Sequence, residues 1–293
     1  RPVTELIAIK DHQFISGDPV KAAMQASRNV RSPVEFFTVL TEEGVSMDAW
    51  RVLPDHFDPQ KKYPLLFYVY TEPWGQNVKD VYGVGKNFLY QGDLGKDGYI
   101  YVSIDNRGTP VPKGRAWRKS IYRKIGQVNI RDQALAARQI LQWPYVDSSR
   151  IAVWGWSGGG SATLNLLFQY PEIYKTGIAI AAVANQQTYD NIYQERYMGL
   201  PQENKDDFRK GSPLTYAKNL TGNLLYIHGS GDDNVHYNNS EMLVNELIRH
   251  NKLFQLMVYP NRTHSIAEGQ GTSLHLANLY TQYLRTHCLP GGR

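Results

Sequence analysis

The segment 155–159 reads Gly-Trp-Ser-Gly-Gly, which matches the pattern Gly-x-Ser-x-Gly. In this pattern a serine lies on a sharp turn from a strand into a helix, where a side chain two residues to either side would clash. The N-terminus of the helix directs main-chain N–H groups toward negative charge on a substrate carbonyl. The apolar run 151–154 before the motif provides the strand that it requires. The pattern therefore predicts that Ser157 is a nucleophile.

A serine hydroxyl needs a positioned base, and the base needs a carboxylate that fixes its tautomer. In hydrolases with this motif the chain order is serine, acid, histidine, with the last two on loops after later strands. The loop after one apolar run contains Asp232 and Asp233, and the loop after the next contains His264. We expect Asp232 and His264 to complete a triad with Ser157. Asp233, the less favoured acid, is expected to cap the turn.

The other histidines are expected to have structural roles. His228 ends a buried strand and His236 opens a helix. The remainder fall on predicted surface or helix positions: His12, His56, His250, His275 and His287. No two histidines have metal-ligand spacing with a carboxylate between them, so neither a metal nor another cofactor is expected.

Apolar runs alternate with amphipathic stretches, and these predict the elements that position the site. The strand candidates are Phe36–Leu40, Met47–Leu53, Leu65–Tyr70, Tyr99–Ile104, Ile151–Trp154, Gly177–Ala182, Leu224–His228 and Phe254–Tyr259. The helix candidates are Ile130–Trp143, Gly158–Tyr170, Asn239–His250 and Thr272–Thr286. This alternation predicts an α/β-hydrolase fold with a doubly wound, mostly parallel sheet of eight strands. The first two strands are expected to form an antiparallel hairpin at one edge.

The composition excludes several classes of protein. Of the 293 residues, 42% are hydrophobic and 20% are charged, which is typical of a globular chain with a large core. The net charge of +5 is mild, and the basic stretch 115–124 is interpreted as a solvated loop, so no nucleic-acid partner is expected. No apolar run approaches the roughly 18 residues that suggest a membrane span, so no membrane insertion is expected. The single cysteine, Cys288, excludes an intrachain disulfide.

The N-terminal residues differ from the rest of the chain. The sequence begins at Arg1 without a methionine or a signal peptide, and we expect it to be a processed or excised piece of a longer protein. Residues 1–33 have no strong period and are predicted to be an arm or the stub of a preceding domain. Residues 34–293 are predicted to form the catalytic domain.

The stretch from about Phe36 to Thr286 resembles the catalytic domain of the prolyl oligopeptidase family of serine peptidases, nearest to its dipeptidyl peptidase IV branch. Three motifs carry the resemblance: the serine motif, the segment 193–201 (Tyr-Gln-Glu-Arg-Tyr-Met-Gly-Leu-Pro), and His228-Gly229 followed by 232–236 (Asp-Asp-Asn-Val-His). The resemblance implies hydrolysis of peptide bonds after proline or alanine through an acyl-enzyme.

The resemblance also implies roles for single residues. It supports Ser157, Asp232 and His264 as the triad. It implies that the hydroxyl of Tyr70 donates to the oxyanion together with the main-chain N–H of Gly158. A donor at this place is physically sensible because it faces the atom on which charge develops.

The pocket for the residue before the scissile bond is implied in the same way. Tyr189 and Tyr193 would line it, with Val183 and Val235 nearby. An aromatic and apolar box suits a proline ring, which has no N–H to satisfy and stacks on flat faces. Asn234 would hydrogen-bond the carbonyl beside the scissile residue.

The sequence departs from the family pattern near this pocket. Gly158 replaces a common tyrosine, and 71–73 read Thr-Glu-Pro where Ala-Gly-Pro or Gly-Gly-Pro is common. Ser265 replaces a glycine, and Gln186 stands near the place of an expected tryptophan. We therefore expect a pocket that is wider or more open than is usual in the family.

The family places a β-propeller before the hydrolase domain, and nothing in this sequence is typical of a propeller. Two alternatives therefore stay open beside the peptidase: an esterase that acts on small acyl esters, and a non-catalytic interaction domain that retains the fold. Members of the dipeptidyl branch often dimerise through this domain, so a homodimer is a candidate assembly. The resemblance also implies a periplasmic or other extracytoplasmic location.

Overall fold

A computed structural model describes residues 6–11, 14–17 and 33–293. The strands are β1 (Leu6–Ile7), β2 (Phe14–Ser16), β3 (Val34–Leu40), β4 (Ser46–Val52), β5 (Tyr63–Tyr68), β6 (Ile100–Ile104), β7 (Val146–Trp156), β8 (Thr176–Ile180), β9 (Asn223–Gly229) and β10 (Gln255–Tyr259). The α-helices are α1 (Gly114–Lys119), α2 (Val128–Ile140), α3 (Gly158–Gln169), α4 (Asn191–Met198), α5 (Lys205–Gly211), α6 (Asn238–Arg249) and α7 (Thr272–His287). Two 3₁₀ segments cover Gln186–Thr188 and Pro213–Asn219.

Within residues 33–293, eight strands form one sheet in the order β10-β9-β8-β7-β5-β6-β4-β3. The strands from β10 to β6 pair in parallel, whereas β4 runs antiparallel to both β6 and β3. The predicted mostly parallel eight-stranded sheet and its antiparallel edge hairpin are therefore confirmed.

The two faces of the sheet carry separate hydrophobic clusters. Along β5, Leu65 and Phe67 pack into a cluster with α2, α3 and α6, whereas Leu66 packs into one with α7. Successive side chains of a strand point to opposite faces, so a strand covered on both sides reads as a continuous apolar run. This is why the central strands were predictable from their composition.

The carboxyl ends of the parallel strands all lie along one edge of the sheet. The chain leaves β7 at Trp156, β9 at Gly229 and β10 at Tyr259, and these strands are parallel. The loops that follow contain the predicted serine, acid and histidine in that order. The end of β5, which pairs with β7, places Tyr70 at the same edge. Open α/β sheets bind their ligands at such an edge.

Three short helices, α1, α4 and α5, were not predicted from the sequence. Each has six to eight residues, which is too short for a clear apolar stripe at helical spacing. Part of the basic stretch predicted as a loop forms α1, which has no buried residue. No helix of the described residues has the length and apolar character needed to cross a membrane.

The predicted N-terminal arm is described only in part. The short strands β1 and β2 pair antiparallel with each other in a two-stranded sheet of their own. The remaining residues of 1–32 lie outside the described residues.

A buried arginine ties the C-terminal segment to the sheet. The side chain of Arg150, which is 6% exposed, forms an ion pair with Asp147 at 2.7 Å. Its guanidinium also donates to the carbonyls of Leu289 and Gly291, each at 2.8 Å, and of Lys62 at 2.9 Å. One charged group therefore holds the start of β5, the middle of β7 and the chain end together.

We expect the substitution Arg150→Met to lower the free energy of unfolding by about 3 kcal/mol or more, because it leaves a carboxylate and several carbonyls without their donor. Urea denaturation measures the change. The matched control is Arg209→Met, because Arg209 is 62% exposed and its ion pair with Asp206 lies on the surface. The control should cost less than about 1 kcal/mol. Equal losses in the two variants would contradict the anchoring role.

Candidate active site

Ser157 lies in a strained turn between β7 and α3, with φ of 59° and ψ of −121°. A non-glycine residue rarely adopts a positive φ, and the surrounding structure must hold it there. The main-chain N–H of Ser157 donates to the carbonyl of Ile180 at 2.8 Å. A Cβ on Gly155 would lie 2.4 Å from the carbonyl of Gly159, and one on Gly159 would lie 2.2 Å from the carbonyl of Val69. Both outer glycines of the motif are therefore required by close main-chain packing.

The carboxylate of Asp232 contacts the imidazole of His264. Asp232 is 5% exposed, and its Oδ2 lies 2.8 Å from Nδ1 of His264. Burial by itself would raise the pKa of Asp232, but hydrogen bonds from His228, His264 and main-chain N–H groups outweigh it and lower that pKa below its usual range. Since an ionised carboxylate only accepts hydrogen bonds, Nδ1 carries the proton and Nε2 is left as an acceptor. That tautomer suits a general base.

The two neighbouring aspartates have different environments. Oδ1 of Asp232 accepts the main-chain N–H groups of Asn234 at 2.9 Å and of Val235 at 2.8 Å. Asp233 is exposed and accepts the main-chain N–H of His264 at 3.3 Å. The structure therefore brings Asp232, and not Asp233, to the imidazole.

His228 also contacts the acid, which the sequence reasoning did not foresee. Its Nε2 lies 3.0 Å from Oδ2 of Asp232 and 2.9 Å from the carbonyl of Val235. Its Nδ1 lies 2.6 Å from the hydroxyl of Ser240, which in turn lies 2.9 Å from the hydroxyl of Tyr226. With the proton on Nε2, this chain of buried groups holds the carboxylate in place. The signal in the sequence was the four-residue spacing between His228 and Asp232.

The loop that carries His264 is fixed at several points. The indole N–H of Trp156 donates to the carbonyl of His264 at 3.0 Å. The hydroxyls of Thr263 and Ser265 both donate to the carboxylate of Glu268. Trp156, the residue before Ser157, therefore also orients the loop of His264.

A cavity of about 360 Å³ brings most of the predicted site residues together. Ser157 and His264 both line it, and the Ser157 hydroxyl makes no hydrogen bond with any residue that the structure describes. The hydroxyl is thus unconstrained in a cavity that it shares with the imidazole. The remaining lining residues are Tyr70, Glu72, Trp74, Trp156, Gly158, Ser161, Val183, Gln186, Tyr189, Tyr193, Gln194 and Asn234.

Tyr70 follows β5 and contributes to the wall beside the nucleophile. Its ring meets that of Trp74 edge to face, with 5.2 Å between the centroids. A Cβ on Gly75 would lie 2.5 Å from the ring of Tyr70, so glycine leaves room for it. The next residue, Thr71, has a φ of 64°, and the side chain of Asn129 donates to its hydroxyl at 3.0 Å. Burial raises the pKa of Tyr70 above its usual range, so its hydroxyl stays a hydrogen-bond donor at neutral pH.

The predicted pocket residues line the cavity with one difference. The hydroxyl of Tyr189 donates to Oδ1 of Asn234 at 2.7 Å, and its ring meets that of Tyr193 edge to face at 5.2 Å. Val183 lies on the same cavity. Val235 is fully buried and does not line it; its main chain instead contacts the buried groups around the acid.

Glu72 occupies the space beside Gly158, a contact that sequence reasoning missed. A Cβ on Gly158 would lie 2.1 Å from Oε1 of Glu72, so the carboxyl group stands where a side chain at 158 would begin. Glu72 is 8% exposed, and burial raises its pKa to about 8. The space that the missing tyrosine side chain at position 158 was expected to leave open is therefore filled by the carboxyl group of Glu72. The sequence shows Gly158 and Glu72 as two separate departures from the family pattern. That the two residues touch depends on the fold.

A nucleophile elbow on an open parallel sheet, with its acid and base on later loops, defines the α/β-hydrolase class of serine hydrolases. The prolyl oligopeptidase family matches residues 91–288. The chain therefore belongs to the prolyl oligopeptidase family of serine peptidases.

Relatives within this family share about a third of their residues with the chain. It is 35% identical to the prolyl endopeptidase FAP of Mus musculus over 262 residues, which cover 88% of this chain and 34% of that protein. It is 35% identical to dipeptidyl peptidase 4 of Sus scrofa over 264 residues, 89% of this chain and 33% of that protein. The crystal structure of Porphyromonas gingivalis dipeptidyl peptidase 4 superposes with a TM-score of 0.85 at 35% identity, over 97% of this chain and 40% of that one. The chain thus spans about a third of the length of the curated relatives.

The raised pKa of Glu72 predicts a pH dependence of stability. Glutamate ionises near 4.5 in the unfolded chain but near 8 in the folded protein, so stability is lost as the pH rises between these values. Glu72→Gln cannot ionise. The difference in melting temperature between the variant and the wild type should be smallest at about pH 4. It should grow in favour of the variant between about pH 5 and 8 and stay constant above that. Parallel melting temperatures across this range would contradict the prediction.

Proposed function

We propose that this chain is the catalytic part of a serine peptidase that cleaves peptide bonds after proline or alanine through an acyl-enzyme. The observation that supports the proposal most is the 2.8 Å contact between Asp232 and His264 at the cavity that also contains Ser157. Family membership, and the names of relatives as prolyl endopeptidase and dipeptidyl peptidase, support the substrate class.

In the first half of the reaction, Oγ of Ser157 attacks the substrate carbonyl carbon, and Nε2 of His264 takes the hydroxyl proton. The carbonyl oxygen becomes negatively charged and accepts hydrogen bonds from the hydroxyl of Tyr70 and the main-chain N–H of Gly158. Asp232 stays ionised and stabilises the imidazolium. The tetrahedral intermediate collapses when the C–N bond breaks and His264 returns the proton to the leaving amine.

In the second half, a water molecule replaces the leaving amine. Nε2 of His264 takes a proton from the water, whose oxygen attacks the acyl carbon. The second tetrahedral intermediate collapses with release of the carboxylic acid, and the proton returns to Oγ of Ser157. The enzyme is regenerated without any change in its charge.

The pocket beside the nucleophile suits a compact side chain. Tyr189 and Tyr193 contribute aromatic surface, and Val183 contributes apolar surface. A proline ring gains from stacking on such surfaces and brings no N–H that needs a partner. Asn234, oriented by Tyr189, is the proposed donor to the carbonyl beside the scissile residue. A homodimer formed through this domain stays a prediction.

The proposal predicts that the protein hydrolyses glycyl-prolyl p-nitroanilide and is labelled by a fluorophosphonate. Both activities should be lost in Ser157→Ala, because the label and the acyl group attach to the same oxygen. Turnover of p-nitrophenyl acetate without turnover of the proline substrate would favour an esterase. Absence of labelling in the wild type would favour a non-catalytic domain.

The two aspartates provide a matched pair for the assignment of the acid. Asp232→Asn should lower kcat by about 10⁴-fold, because an amide in this place favours the wrong imidazole tautomer. Asp233→Asn should lower it by less than about tenfold, since among the described residues the Asp233 carboxylate hydrogen-bonds the main-chain N–H of His264 and not its imidazole. Steady-state kinetics with glycyl-prolyl p-nitroanilide measure both effects. Similar losses in the two variants would exclude the assignment.

A further inference from the structure

The side chain of Glu72 lines the active-site cavity. It is 8% exposed, and it makes no hydrogen bond or ion pair with any residue that the structure describes. Two more buried polar atoms at the same cavity, the hydroxyl of Tyr193 and Oε1 of Gln194, have no hydrogen-bond partner in the part of the chain that the structure describes. Three unpaired polar groups are thus gathered at one cavity.

Such groups are costly to leave unpaired. A buried donor or acceptor without a partner destabilises the folded state, because it has lost its hydrogen bonds to water without replacement. Most buried polar groups in proteins therefore have partners, and an exception at a cavity calls for a partner from outside the protein, such as a water molecule, an ion or a substrate group. A proline ring or an alanine methyl group offers no donor, so neither would pair with the carboxyl group of Glu72.

The position of Glu72 decides which part of a substrate it meets. Its Oε1 lies where a Cβ of Gly158 would be, directly beside the nucleophile. In the proposed peptidase, the residue whose carbonyl carbon is attacked by Ser157 places its side chain in this cavity. The walls around it are Tyr189, Tyr193 and Gln194. Glu72 therefore faces the side chain of the residue before the scissile bond.

We propose that this pocket selects, before the scissile bond, a side chain that carries a hydrogen-bond donor, a hydroxyl or an ammonium group, which the carboxyl group of Glu72 accepts. The inference rests on the proposed peptidase function and replaces proline and alanine, as the preferred residues before the scissile bond, with a residue that carries a hydrogen-bond donor. The rings of Tyr189 and Tyr193 still provide apolar surface for the carbon atoms of the substrate side chain. Its donor group forms the hydrogen bond that Glu72 lacks among the described residues. A 4-hydroxyproline ring and a lysine side chain are two forms of this chemistry.

The test compares dipeptidyl p-nitroanilides in two matched pairs. Glycyl-4-hydroxyprolyl against glycyl-prolyl substrate tests the hydroxyl group, and glycyl-lysyl against glycyl-norleucyl substrate tests the ammonium group. In at least one pair the donor-bearing substrate should have the higher kcat/KM, by about tenfold or more, since a site built to hydrogen-bond a substrate group discriminates against the analogue that lacks it. A preference in the first pair identifies a hydroxyl group as the donor, and a preference in the second identifies an ammonium group.

Variants connect the preference to one side chain. In Glu72→Ala the ratio within the pair should fall to about one, whereas Glu241→Ala, at an exposed position of α6, should keep the wild-type ratio. Glu72→Gln should keep a hydroxyl preference but lose an ammonium preference, because the amide accepts a hydrogen bond without charge. Fluorophosphonate labelling of each variant shows that its nucleophile is intact.

The outcomes separate the two proposals. If the wild type hydrolyses the proline and norleucine substrates as well as their donor-bearing counterparts, the inference is overturned and the peptidase function stands. The same holds if a donor preference survives in Glu72→Ala. If the wild type is neither labelled nor active on any of the four substrates, the peptidase function fails and the inference fails with it.

Discussion

The carboxylate of Asp232 is the interaction on which the rest of the site depends. Its two oxygens accept hydrogen bonds from two imidazoles and two main-chain N–H groups, and these contacts hold it ionised although it is buried. One consequence is the tautomer of His264. Another is the shape of the loop after β9, because the same contacts fix Asn234 and Val235. A single anion thus orients the imidazole of His264 and fixes the loop that contains Asn234.

Much of this arrangement could be predicted from the sequence because it follows from topology. Parallel strands end at one edge, so a serine, an acid and a histidine that each follow such a strand are brought together whatever the intervening residues. The eight strands and four longer helices were predictable from continuous apolar runs and from 3.6-residue periodicity. The roles of Ser157, Asp232 and His264 stay predictions that the substitutions above address.

The parts that could not be predicted depend on contacts between distant segments. Glu72 and Gly158 are 86 positions apart, and only the pairing of β5 with β7 places one beside the other. His228 was expected to be structural, and its contact with Asp232 depends on how the loop turns back over the strand. Helix α4 is short, but Asp190 caps it by accepting the N–H of Tyr193 at 2.8 Å, a local signal that could have been used.

The buried carboxyl groups of Asp232 and Glu72 have opposite environments, and their pKa values shift in opposite directions. Asp232 has every contact supplied by the protein, so its charge is stabilised and its pKa is lowered. The carboxyl group of Glu72 has no hydrogen bond or ion pair with any described residue, so burial raises its pKa and the group can pair with a substrate group. Catalysis requires a preorganised charge that does not depend on the substrate, whereas selectivity requires a contact that only the right substrate completes. The difference between these two environments is the physical reason why we propose Asp232 for the reaction and Glu72 for the choice of substrate.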